Sequence, residues 1–292
     1  MQKIFKKAFQ ITKGNFLLTN TLLLIYIMTV VLAVVIVTKF QANIMLGLVA
    51  ILSVLLLSIA LISGWLNMIK GVIDVEKQDS KNDFIFAAIM PNFFPGVAKY
   101  FSVNTIIMAI YFVIFGITFY LSYKGLTLLH PAFKMTMEGL RSVLELSKNM
   151  NYTELMQTKY LIPMFWLTLG NVLQWVISYF TMFTLAAAVF FQDTKEKPLN
   201  PFTALADSFK LVFKNFWDIF VIFIVLTALS IIISAVIMPL SLNFILSMIG
   251  MILLCFYATF YVIVVFLYYD EKQNKSNSDI GSDSVGEEPD SD

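Results

Sequence analysis

Six stretches of this chain run for twenty residues or more with almost no charge, at about 16–38, 43–69, 101–122, 162–191, 216–240 and 243–269. The hydrocarbon core of a bilayer is about 30 Å thick, so about 20 apolar residues in a helix make one crossing. A helix buried in a water-soluble core rarely stays apolar all round for so long. The composition agrees: 59% of residues are hydrophobic, 13% are charged, and the mean hydropathy is +0.81. One core cannot hide that much apolar surface, so the excess must meet lipid. The expected fold is therefore all-α and integral to a membrane, with six transmembrane helices.

Only Phe40, Gln41 and their neighbours separate the first two spans, and the last two meet at Pro239–Leu242. Both pairs read as tight helical hairpins. Orientation follows from lysine and arginine, which concentrate on the cytoplasmic side. With the N-terminus inside, that side holds Lys3, Lys6, Lys7, Lys13, Lys70, Lys77, Lys81, Lys99, Lys195, Lys197, Lys210, Lys214, Lys272 and Lys275. The other side holds Lys39, Lys124, Lys134, Arg141, Lys148 and Lys159. Fourteen against six places both termini inside a cytoplasmic membrane, expected to be bacterial. The apolar run after the first lysines is too long for a secretory leader, so the first span is expected to be retained.

A short pattern recurs. Phenylalanine, five residues, then Asn-Phe is found at Phe9–Asn15–Phe16, Phe86–Asn92–Phe93 and Phe209–Asn215–Phe216. Chance would supply roughly 0.1–0.2 occurrences in a chain of this composition. Each copy stands just before a span, and each hairpin is followed by a charged exit, at 74–77, 193–195 and 270–272. The unit is read as an amphipathic lead-in helix, two spans and a charged exit, repeated at about 1–77, 82–197 and 200–272. In the third lead-in, Phe202, Leu205, Phe209, Val212 and Phe216 share a face, with Thr203, Asp207, Lys210 and Lys214 opposite. In the first, Phe5, Phe9, Thr12 and Phe16 oppose Lys3, Lys7, Gln10 and Lys13. Such helices suit a cytoplasmic interface, where lysines meet anionic headgroups and phenylalanines enter the acyl boundary. Phe9, Asn15, Phe16, Phe209, Asn215 and Phe216 are the expected interfacial anchors. Pro91 and Pro95 weaken the middle copy.

The middle hairpin carries a long outer loop at about 123–161, where Pro131 could open a helix. Asn151-Tyr-Thr153 in that loop matches a glycosylation sequon. The segment 273–292 is rich in Ser, Asp and Glu with almost nothing apolar, and is expected to be a disordered acidic tail.

Chemistry is sparse. His130 is the only histidine and Cys255 the only cysteine. Together they rule out a His-Glu-x-x-His zinc site, an internal disulfide framework and a multi-cysteine metal site. There is no P-loop, and no close pair of aspartates inside a span. The net charge of +1 gives no footprint for nucleic acid. The chain is accordingly expected to be no enzyme and to need no cofactor or metal. Span interiors hold essentially no ionisable group apart from Asp218 near an end, which argues against ion-coupled transport.

Neutral polar stripes do occur. Thr168, Asn171, Gln174, Ser178 and Thr181 recur every three or four residues in the fourth span. Asn104, Tyr111 and Thr118 recur at seven in the third, and Thr227, Ser230 and Ser234 line the fifth. Interhelical hydrogen bonding accounts for most such stripes. The functional alternative is a polar cavity bounded by Asn104, Tyr111, Thr168, Asn171, Gln174 and Ser178, with Asn171 and Gln174 its strongest candidates.

The lead-in with its Asn-Phe, the hairpin and the Tyr268-Tyr269-Asp270 exit resemble a group of bacterial multi-pass membrane proteins. That group is similar to the membrane domain attached to some glycerophosphoryl diester phosphodiesterases. The resemblance spans nearly all of residues 1–272 and implies a membrane module rather than the phosphodiesterase activity, whose soluble domain is absent. The expected function is a non-enzymatic module that organises the membrane or scaffolds a complex. Its expected partners are membrane lipids and a membrane protein or a second copy of the chain. The alternative is a permease, or permease subunit, for a neutral or lipid-like solute.

Overall fold

The computed structural model describes residues 1–40, 44–77, 90–129, 158–194, 200–240 and 243–282. They form α1 (Gln2–Gly14), α2 (Phe16–Lys39), α3 (Ile44–Lys77), a 3-10 turn (Met90–Asn92), α4 (Phe93–Leu129), α5 (Thr158–Thr181), α6 (Thr184–Thr194), α7 (Pro201–Lys214), α8 (Phe216–Leu240) and α9 (Phe244–Ser282). No strand occurs among the described residues. Among the described residues six segments are long and apolar enough to cross a membrane: Phe16–Lys39, Met45–Glu76, Phe93–Ser122, Thr168–Phe190, Phe216–Leu240 and Ile245–Gln273.

Several boundaries differ from those read in the sequence, each for a local reason. Helix α4 opens at Phe93 rather than 101, because Pro95 falls in its first turn, where the missing N–H has no helical partner to lose. It continues to Leu129, so the first residues assigned to the outer loop are helical. The stretch 130–157, with His130, Pro131 and the sequon, lies outside the described residues. Helix α9 runs on to Ser282, through the start of the segment expected to be disordered. Extending an existing helix costs no nucleation, and neither proline nor glycine interrupts it between Gly250 and Gly281. The fourth span is broken at Met182 and Phe183 into α5 and α6. There the Phe183 N–H donates to Ser208 Oγ of α7 at 3.3 Å, which takes the place of a helical acceptor.

The chain divides into two compact units, Met1–Ile106 with Met182–Asp292, and Ile107–Thr181. In the larger unit α2 packs along α3 and α8 along α9. Thr29 and Ser58 join hydroxyls at 2.9 Å across the first pair, and Tyr257 Oη donates to Leu226 O at 2.7 Å across the second. Helix α1 lies on α9, with Phe5 against Phe260 and Phe9 against Phe256, while α7 lies on α6.

The core of this unit sits at one end of its hairpins. Trp65, Leu66, Ile69, Tyr100, Phe183, Val189, Ile219 and Phe266 are all buried there. Trp65 Nε1 donates to Leu18 O at 2.9 Å, and Tyr100 Oη to Val189 O at 3.0 Å, so both rings are buried without an orphaned donor. Toward the hairpin turns the same helices expose Val31, Val34, Leu48, Val49, Ile231 and Ile245. Valine, leucine and isoleucine cost nothing facing hydrocarbon, so those halves need no protein cover.

Helices α3 and α4 cross through glycine. A Cβ on Gly96 would stand 2.4 Å from Asn67 Cβ and 3.1 Å from the Gly64 Cα. One on Gly64 would stand 2.8 Å from the Phe93 carbonyl oxygen. The close approach lets Asn67 Nδ2 donate to Asn92 O at 2.7 Å. In the smaller unit, α4 and α5 meet through Tyr111 Oη, which donates to Thr181 O at 3.1 Å, and through the Phe119 ring, which lies against Gly170.

Candidate functional site

Among the described residues two places stand out for their polar chemistry. The first is the pair of junctions at Asn15 and Asn215. Each asparagine ends one helix and starts the next, and both make the same double donation to the carbonyl four residues back. The Asn15 backbone N–H and its side-chain Nδ2 both donate to Ile11 O, each at 2.9 Å. Asn215 does the same to Leu211 O, at 3.1 and 3.2 Å. The carbonyl of Asn15 accepts from Leu18 N and that of Asn215 from Ile219 N, each at 3.0 Å. An asparagine suits this position because its amide doubles the donors offered to the last carbonyl. Asn92, the third member of the motif, stands likewise just before a span, in the 3-10 turn ahead of Phe93.

Lys272, in the charged exit, reaches back to the second junction. Its Nζ donates to Asn215 Oδ1 at 2.8 Å, stands 3.6 Å from Asp218 and lies over the Tyr268 ring. At the same end Lys70 is only 6% exposed and stands over the Phe190 ring, 5.6 Å from its centroid.

The helices leading into these junctions, α1 and α7, share an arrangement of three sectors. Ile4, Ala8 and Thr12 are buried in α1, and Ala204, Ser208 and Val212 in α7, positions that differ by 200 in number. Beside them stand aromatic side chains: Phe9 and Phe16 in the first case, Phe202, Phe213 and Phe216 in the second, all exposed. Lysines fill the third sector, with Lys6, Lys13, Lys210 and Lys214 exposed. The shared faces read from sequence are thus split. Thr12 and Val212 turn to the protein, Phe5 and Phe209 are half-buried, and Phe9 and Phe202 are largely exposed. Phe202 is 64% exposed and Trp217, just past the second junction, is 74% exposed.

The second place is a recess of about 210 Å³ in the smaller unit, lined by Tyr111 and Phe115 of α4 and Gln174, Ile177, Ser178 and Thr181 of α5. Hydroxyls in spans here mostly satisfy themselves: Thr118 donates to Ile114 O, Ser122 to Thr118 O and Thr181 to Ile177 O, each one turn back. An amide at the end of a longer side chain has no such partner within reach. Gln174 Oε1 is buried and accepts no hydrogen bond among the described residues.

Of the six cavity residues expected from sequence, Tyr111, Gln174 and Ser178 line this recess. Thr168 and Asn171 share its helix, but their side chains are exposed and do not line it. Asn104 belongs to the larger unit, where its Nδ2 donates to Ser63 Oγ at 2.8 Å. Phe115 and Ile177 are lining residues that a search for polar stripes passes over. The partnership of Ser63 with Asn104 left no trace, since nothing in one strand of sequence aligns two separate spans. Among the described residues no three His, Cys, Asp or Glu come together in a group fit for a metal ion. No family model, curated protein or solved structure matches the chain.

Proposed function

We propose that this chain is a non-enzymatic multi-pass membrane module that organises lipid at the cytoplasmic face of a bacterial plasma membrane. In this reading the chain is three hairpin repeats, each led in by a helix lying in the interface, and both termini are cytoplasmic. It is a module of the kind implied by the resemblance to phosphodiesterase membrane domains.

The observation that carries the reading is the sector arrangement of α1 and α7. A buried face of small and aliphatic residues fastens each helix to the bundle, and exposed phenylalanines, Phe9 in α1 and Phe202 and Phe213 in α7, stand between that face and exposed lysines. A helix held this way puts aromatic rings at the acyl boundary and cations among headgroups, which favours anionic lipid. The close aromatic and aliphatic packing at the same end suits a rigid platform rather than a passage. The second reading, a permease for a neutral or lipid-like solute, is favoured by the recess between α4 and α5.

The test is the lipid that leaves the membrane with the protein. The chain is extracted gently from mixed anionic and zwitterionic membranes, and the bound lipids are counted by class. Enrichment of anionic lipid over the bulk is expected, and it should fall in a variant carrying Lys210→Gln, Lys214→Gln and Phe213→Gln. Bound lipid that merely mirrors the bulk would refute the reading. Turnover of any lipid by the reconstituted protein would refute its non-enzymatic part.

A further inference from the structure

We propose that the recess between α4 and α5 binds an uncharged lipid through a hydroxyl group, the diacylglycerol class of alcohol. The inference is independent of whether the lead-in helices organise anionic lipid. Its starting point is an acceptor without a donor. Gln174 Oε1 is buried in the recess wall and takes no hydrogen bond among the described residues. A carbonyl oxygen at membrane depth finds no water to replace a missing partner, so it selects for a donor.

The surroundings narrow the donor. Ser178 and Thr181 form the last turn of α5, which stops at Thr181, and the C-terminal pole of a helix repels anions and favours hydrogen-bond donors there. The Tyr111 hydroxyl is committed to Thr181 O and the Thr181 hydroxyl to Ile177 O, so neither competes for Gln174. Among the described residues no charged side chain lines the recess, so they offer a phosphate no counter-ion and an ammonium no carboxylate. The occupant must therefore donate while uncharged.

Size and rim supply the rest. A cavity of about 150 Å³ accommodates a benzene-sized molecule. A recess of about 210 Å³ therefore holds a body the size of a glycerol backbone and little more. Around it α4 and α5 expose Phe112, Val172, Trp175 and Val176. A water-soluble alcohol gains nothing from such a rim, whereas acyl chains lie along it at no cost in desolvation. A lipid with one free hydroxyl beside its acyl chains meets every condition.

The experiment uses the full chain in phosphatidylcholine nanodiscs with a diacylglycerol that carries a photoreactive diazirine near its glycerol. Adducts are mapped by peptide mass spectrometry after illumination. Labelling is expected on α4 near Tyr111–Phe115 and on α5 near Gln174–Thr181. Unlabelled diacylglycerol should compete, whereas its O-acetylated form and phosphatidylglycerol should not. Gln174→Leu should cut specific labelling about tenfold, the equivalent of one hydrogen bond, without lowering the melting temperature, since it removes an orphaned acceptor. Ser178→Leu, which fills the recess, should abolish labelling and serves as the second variant if Gln174→Leu does not fold. Equal competition by the acetylated lipid, labelling spread over all spans, or indifference to both substitutions would overturn the proposal. So would a native mass showing a dimer that Gln174→Leu splits, because the missing donor would then come from a second copy.

Discussion

Replacing Gly96 by alanine should loosen the larger unit, although alanine is by far the better helix former. The new methyl carbon would lie 2.4 Å from Asn67 Cβ and 3.1 Å from both Asn67 Cγ and the Gly64 Cα. Carbon atoms pack at about 3.5–4.0 Å, so α3 and α4 must part by roughly 1 Å or more where they cross. None of the three contacts is the far end of a flexible side chain, so backbone has to move. Overpacking of this kind costs about 1–3 kcal/mol. Parting the helices also stretches the 2.7 Å bond from Asn67 Nδ2 to Asn92 O, worth about 0.5–1.5 kcal/mol. Against this, alanine recovers up to about 1 kcal/mol of helix propensity, less this close to the helix start. The net expectation is a loss of about 1–3 kcal/mol. Gly116, on the same helix, has open space where its methyl would stand, with no neighbour within 4 Å, and is the control. Unfolding of both variants in mixed micelles by rising SDS, followed by circular dichroism, reads the difference. Gly116→Ala should match or exceed the parent, and Gly96→Ala should unfold earlier. A Gly96→Ala protein as stable as Gly116→Ala would refute the glycine-mediated crossing. Adding Asn67→Gly to Gly96→Ala removes the atom that is struck, so the two changes should couple in a double-mutant cycle rather than add.

Trp65→Phe removes the donor to Leu18 O and part of a buried ring; a loss of about 2 kcal/mol is expected in the same assay. Tyr100→Phe deletes the hydroxyl bonded to Val189 O and should cost about 0.5–1.5 kcal/mol, while a neutral result would mean that the bond is not made in the membrane. Lys272→Met breaks the bond to Asn215 and should cost about 1 kcal/mol. Asp218→Asn should change stability by less than about 0.5 kcal/mol, because that carboxylate is half exposed and 3.6 Å away. A larger effect of Asp218→Asn than of Lys272→Met would reverse the assignment of which partner holds the lysine.

Hydropathy made the six crossings legible because apolar length is a property of a single segment. The Asn-Phe motif was legible for a related reason: the double donation of Asn15 and Asn215 to a carbonyl four residues back is entirely local. What escaped depends on partners far apart in the chain. The phenylalanines of α1 and α7 share a helical face with Thr12 and Val212 by spacing alone, yet only the neighbouring helices decide which edge of that face is covered. The break at Met182–Phe183 has no proline or glycine to announce it, and its acceptor is Ser208 of a later helix. The polar stripe of α5 was visible, but spacing could not tell that Gln174 and Ser178 face α4 while Asn171 and Thr168 turn away. Spacing alone marks Asn104 as a cavity residue, whereas its amide donates to Ser63 of a separate span.

The most direct measurement is the sidedness of the chain in intact cells. Cys255 is replaced by alanine, and single cysteines are placed at Lys13, Lys148 and Ser276. Each variant is then treated with a maleimide that cannot cross the membrane. If both termini and the lead-in helices are cytoplasmic, cysteine at 148 reacts in whole cells, and cysteines at 13 and 276 react only after the membrane is opened. Labelling of 13 or 276 in intact cells, or protection of 148, would contradict the six-span arrangement with both ends inside and with it the proposed cytoplasmic platform.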